Sequence, residues 1–156
     1  MNHPHELVTA AAIQAMPGQS KIHDLNPNAV RSANFLGAAA GLKNLGFDLM
    51  TVLPGHEASE YHRHLYEEEC YYILAGNGEV VIDEQAYPVG PGDFLGFPAN
   101  GRAHTLKNSG GVPLVFLAAR HMLEQDVCDY PRQNTRLYMS GAEEAFVSLS
   151  DVIHLK

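Results

Sequence analysis

From about residue 45 the chain is cut into short apolar runs by turn signals that return every eight to twelve residues. This rhythm restricts the fold more than any other feature of the sequence. Residues 47–53 close at Pro54-Gly55, and residues 69–74 close at Gly76-Asn77-Gly78. Residues 79–82 end at Asp83-Glu84-Gln85, Gly90-Pro91-Gly92 opens residues 93–98, and Asn108-Ser109-Gly110-Gly111 leads from residues 104–107 into 113–119. Runs this short, rich in valine, isoleucine, tyrosine and phenylalanine, are strands rather than helices. Gly76-Asn77-Gly78 reads as a hairpin turn. Many short strands at regular spacing predict an all-β sandwich or barrel. Residues 71–74 and 114–117 are apolar on both faces, so one face meets the interior and the other a second sheet, an N-terminal arm or another subunit.

The flanks have a different texture. The first 30 residues, with Pro17-Gly18 and Asn26-Pro27-Asn28, read as an arm carrying one strand. Residues 121–156 are mixed; 142–146 suggest a helical turn and the remainder an irregular tail. A length of 156 residues fits one domain, with the arm at 1–30, a barrel core at about 36–120 and a C-terminal extension at 121–156. The net charge of −8 argues against a phosphate-backbone partner. No apolar stretch approaches the ~20 residues that span a bilayer. The segment MNHPHELVTAAAIQAM has no basic n-region and reads as mature sequence. Cys70 and Cys128 do not make a disulfide framework, which suits a cytoplasmic protein.

Chemistry gathers in residues 62–76, HRHLYEEECYYILAG. With nine histidines in the chain, one His-x-His pair is unremarkable by itself. On a strand, however, His62 and His64 share a face and Arg63 takes the other. Glu69 opens the next apolar run, with Tyr71 and Ile73 on its face, and an antiparallel neighbour would turn it toward the two imidazoles. His104, at the mouth of a later strand, is the fourth candidate. Three imidazoles and a carboxylate suit one divalent transition metal: Fe, Mn, Ni, Zn, Co or Cu. With these four ligands an octahedral ion keeps two open positions, whereas a tetrahedral ion is closed and structural. Glu67 and Glu68 are rival carboxylates. Glu68 has the wrong parity, and both read more simply as solvated turn charges. Cys70 alternates away from the proposed metal face. His56 is a loop histidine near the mouth, while His3, His5, His23, His121 and His154 read as solvated. Asp93 reads as the acceptor of its own turn's amides.

These residues resemble the two motifs of the cupin family. Gly55, His62, His64, Glu69 and Gly76 follow the first motif, with one residue more than the pattern between Gly55 and His62. Gly92, Pro98, Gly101, His104 and Asn108 follow the second, with one extra residue before Gly101. The resemblance covers about residues 36 to 120. It extends to small bacterial cupins through AGLKN, GPGDFLGFPA and the D-x-x-DYP of residues 126–131. It implies a jelly-roll barrel (a double-stranded β-helix) with a metal in its mouth held by His62, His64, Glu69 and His104; the alternative is a degenerate, metal-free site.

Small cupins of this build resemble the sugar-phosphate isomerases of the mannose-6-phosphate type. An open metal that polarises adjacent substrate oxygens supports an isomerase or epimerase. Arg63, Arg102 and Lys107 are the cations nearest the motif, with Arg63 expected to point outward. Glu60, Tyr71 and Arg102 are candidates for catalytic roles. An iron dioxygenase would use the same ligands, and a non-catalytic small-molecule-binding cupin is the third reading. A small-molecule substrate and a homodimer are the expected partners, and neither nucleic acid nor membrane is expected.

Overall fold

The computed structural model describes residues 4–156; the expectation for His3 lies outside the described residues. Thirteen strands dominate the described residues. One six-stranded sheet has the order β1 (Gln19–His23), β2 (Asn26–Phe35), β3 (Leu45–Val52), β10 (Leu114–His121), β5 (Glu69–Ala75), β8 (Phe94–Phe97). Facing it are a three-stranded sheet, β7 (Gln85–Val89), β6 (Gly78–Ile82), β9 (His104–Lys107), and a four-stranded sheet, β13 (Glu143–Ser148), β12 (Thr135–Ser140), β11 (Gln125–Tyr130), β4 (Arg63–His64). Backbone bonds from Ala58 to Leu106 and between His62 and His104 stitch the two smaller sheets together along β9. The result is the expected jelly-roll architecture.

Alternation builds the core. Tyr71 and Ile73 of β5 turn inward while Tyr72 and Leu74 remain exposed. Leu114, Phe116 and Ala118 of β10 face them from the same sheet, and Val80 and Leu106 close the interior from the opposite sheet. Burial of Phe116 alone is worth about 2–3 kcal/mol. Asn108 is fully buried and consumes its polar atoms: its amide donates to the Val52 and Val112 carbonyls, and its oxygen accepts from Gly110 N–H. It thereby clamps the turn that returns the chain to β10. Asp93 accepts from Gly90 N–H at 2.8 Å, as its turn position predicts.

Three expectations need correction. Residues 76–78 do not form a hairpin, because β5 pairs with β10 and β8 while β6 pairs with β7 and β9. The glycines instead turn the chain from one sheet to the other. The N-terminal segment is more than an arm with one strand: α1 (Ala10–Ala15) precedes a β1–β2 hairpin that runs on to Phe35 and extends the large sheet as its edge. The C-terminal extension is not irregular, and 142–146 is no helical turn. β11, β12 and β13 form an antiparallel meander that packs β11 against β4.

Candidate functional site

Backbone pairing brings the first two imidazoles together. His62 N–H donates to the His104 carbonyl at 3.0 Å and His104 N–H returns to His62 at 2.8 Å, which sets their rings 4.7 Å apart. Phe97, on β8, stacks on His104 with ring centroids 3.4 Å apart. β8 also pairs with β5, placing Glu69 opposite Phe97. The Glu69 Oε1 atom lies 3.1 Å from His62 Nε2 and 2.7 Å from His104 Nε2. Ligand atoms of His62, Glu69 and His104 thus lie within 4.8 Å of one another. His64 stands beside this group, its ring 5.1 Å from that of His62, and lines the same cavity. The structure therefore gathers three of the four predicted ligands into one cluster and puts the fourth next to them.

The other nitrogen of each ring is occupied. His62 Nδ1 lies 2.7 Å from the Glu60 carbonyl, His104 Nδ1 lies 3.3 Å from the Arg102 carbonyl, and His64 Nδ1 lies 2.6 Å from Asp126 Oδ2. All three partners are acceptors, so with a metal bound each Nδ1 would carry the proton and each Nε2 would present its lone pair. Burial lowers the His104 pKa and keeps that ring neutral at pH 7. Burial would raise Glu69, but the bonds from His104 and His62 outweigh it and hold the carboxyl well below its usual range. Without an ion those bonds need a proton on Nε2; a shared cation would take the place of such protons between the imidazoles and the ionised carboxylate. The donor set fits a divalent transition metal.

Asp126 was not marked as a functional residue by the sequence pattern. Its Oδ1 accepts from the amides of Tyr66 and Glu67 while Oδ2 holds His64. Burial would lower His64, yet the Asp126 bond together with the charges of Glu69, Asp126 and Glu67 outweighs it and raises the imidazole pKa. Glu67 is buried, not solvated: Oε1 accepts from Leu123 N–H, and Arg120 Nε lies 3.5 Å from Oε2. Glu67, Asp126 and His64 form a second acidic cluster. Amides, His64 and Arg120 already engage its carboxylates, so it reads as support for His64. Glu68 is exposed, as expected.

Other candidates fall away from the cluster. The Glu60 carboxylate is buried against the Tyr61 amide at 2.9 Å. Arg102 and Lys107 are exposed. Arg63 turns outward to pair with Asp129 at 3.1 Å. Tyr71 does belong, buried beside Glu69; burial and that carboxylate push its phenol well above the usual range, so it stays protonated. His23, expected in solvent, is half-buried 5.2 Å from the Tyr130 ring. Burial, and then the charges of His62, Arg31 and Lys21, lower it to about 4.

A cavity of about 170 Å³ opens on His23, His62, His64, Glu69, Tyr71 and Tyr130. A second, of about 460 Å³, runs into the barrel along Met50, Phe116 and Ala118 and shares Glu69 and Tyr71. Lys21, Arg31 and Arg120 line both.

A model of the cupin domain matches residues 48–120. A solved structure of a candidate sugar phosphate isomerase from Acidithiobacillus ferrooxidans is 44% identical, covers 97% of each chain and superposes with a TM-score of 0.95. A sugar phosphate isomerase of the cupin superfamily from Silicibacter pomeroyi is 25% identical over 90% of each chain, with a TM-score of 0.78. An oxalate-binding protein from Thermotoga maritima is 36% identical over 72 residues, 46% of this chain and 58% of that protein. The chain spans little more than half the length of the curated relatives it matches.

Proposed function

This chain is a member of the cupin superfamily, and on that premise we propose that it is a metal-dependent isomerase or epimerase acting on a small anionic sugar such as a sugar phosphate. One observation carries the reading. Two buried imidazoles, each with Nδ1 against a backbone carbonyl, aim their Nε2 atoms at a single ionised Glu69 oxygen, with His64 adjacent. His62, His64, Glu69 and His104 would hold the metal. When bound, a divalent ion acts as a Lewis acid toward adjacent substrate oxygens and eases proton transfer between carbons.

The chain's own groups supply the surroundings. Met50, Phe116 and Ala118 form a wall that sheds water from the substrate's carbon skeleton. Tyr71, kept protonated, offers a donor beside Glu69. His23 accepts the Leu25 N–H at Nδ1, so its neutral ring carries a proton on Nε2 and offers a second donor to the cavity it lines.

The test is elemental analysis of the purified protein beside His62→Ala, followed by turnover of a panel of sugar phosphates. One equivalent of a transition metal, lost in the variant, together with metal-dependent interconversion supports the proposal. Full metal loading with oxygen consumed on turnover would assign an iron dioxygenase instead. Stoichiometric binding without turnover would make the protein a small-molecule carrier.

A further inference from the structure

The geometry points to an anion-binding subsite on the N-terminal hairpin, formed by Lys21 and Arg31 with Arg120, that takes a phosphate or carboxylate group of the ligand. It rests on the proposed function only in treating this cavity as the place where the ligand binds.

Arg31 occupies an inward row of β2. Its neighbours at two residues on either side, Ala29 and Ala33, are only 1% and 4% exposed. A large cation between two buried alanines faces the barrel, not the solvent. Its Nη1 donates to the Ala58 carbonyl at 2.8 Å, which fixes the guanidinium and leaves other donors free. Directly across the hairpin, Lys21 is the register partner of Arg31. Like charges facing each other across a strand pair are unfavourable. Among the described residues, neither Lys21 nor Arg31 has a carboxylate within 4.0 Å. Arg120 enters from β10 and is only loosely held by Glu67.

The rest of the molecule sharpens the point. The chain carries ten lysines and arginines against eighteen acidic residues, yet three of the ten line the wall shared by both cavities. Of the carboxylates, Glu69 lines both cavities, Asp48 only the larger, and Asp24 and Glu144 only the smaller; burial raises the Asp48 carboxyl against the pull of Arg120 and Arg31. A bound oxyanion would relieve the facing Lys21 and Arg31 charges and would receive a planar, preorganised fork from Arg31. The sequence hid this subsite because Lys21 and Arg31 lie far from both histidine motifs.

Isothermal titration with inorganic phosphate and, separately, with succinate tests the assignment. The proteins are the wild type, Lys21→Gln, Arg31→Gln, His62→Ala and the remote control Lys43→Gln. Wild type and Lys43→Gln should bind at least one anion, and Lys21→Gln and Arg31→Gln should each weaken it by about tenfold or more. His62→Ala should retain binding even where it loses metal, which separates failure of the metal reading from failure of this one. Phosphate preference indicates a phosphate ester as ligand, and succinate preference a carboxylate. Thermal melts monitor folding, and exposed Lys21→Gln keeps the test valid if Arg31→Gln is unstable. Absence of binding in the wild type, or equal binding in wild type and Lys21→Gln, overturns the assignment.

Discussion

At the scale of single residues, the site is set by what each imidazole does with its second nitrogen. Asp126 decides this for His64. Asn at that position keeps an oxygen for the Tyr66 and Glu67 amides, but its NH2 opposes the His64 Nδ1–H and favours the wrong tautomer. Asp126→Asn should therefore lower metal affinity by about 10–100-fold while changing the melting temperature little. Competition with a chelating dye reads the affinity, and calorimetry reads the fold. Equal affinity in the two proteins would remove Asp126 from the site. A purely structural Asp126 would instead show itself as a lower melting temperature at unchanged metal affinity.

Among the elements, the connection at residues 76–78 controls whether the two faces of the barrel meet. Gly76 has φ +80°, and a Cβ there would lie 2.4 Å from the Pro113 carbonyl oxygen. The left-handed backbone alone costs a side chain about 1–3 kcal/mol, and the contact adds to it. Gly76→Ala should lower the urea midpoint accordingly, whereas Gly111→Ala, where a Cβ meets nothing within 4 Å, should be near neutral. This connection also shows where the sequence ceased to be legible. Gly-Asn-Gly marks a reversal, but a hairpin and a corner between sheets have the same local chemistry; only the pairing partners distinguish them. The barrel strands were legible because one face of each is buried, as in Tyr71 and Ile73. In β13 residues 143–146 are all exposed, so no period separated a strand from a helical turn. The parity rule put Glu69 on the side of His62 and His104, where its carboxylate lies. It said nothing of Glu67, which belongs to the connection before β5. His23 was unreadable for another reason: it reaches the cavity through the β1–β2 hairpin and carries no local signal of doing so.

Across the whole molecule, polar links hold the two flanks onto the barrel. The N-terminal hairpin is tied by Asn26 to Glu57 and by Arg31 to the Ala58 carbonyl. The C-terminal meander is tied through Asp129, a buried carboxylate that accepts from Arg63 of β4 and Arg136 of β12. Because β4 carries His64 and β11 carries Asp126, loosening this tie should reach the candidate site as well as the fold. Removing one partner of a buried pair costs about 3–5 kcal/mol, a large share of the ~5–15 kcal/mol that holds a domain together. Asp129→Ala should show a loss of that size. The pH dependence follows from the sign of the shift. Burial would raise Asp129, but Arg136 and Arg63 outweigh it and depress its pKa in the folded state. Its contribution is then complete above the unfolded carboxylate value of about 3.9 and is lost as pH falls through the lower folded value. Asp129→Asn lacks the titrating group, so the stability gap between wild type and variant should be widest near neutrality and narrow below about pH 4. Urea midpoints for both proteins at several pH values measure that gap. A gap that stayed constant into acid would mean that the charge on Asp129 does not hold the meander in place.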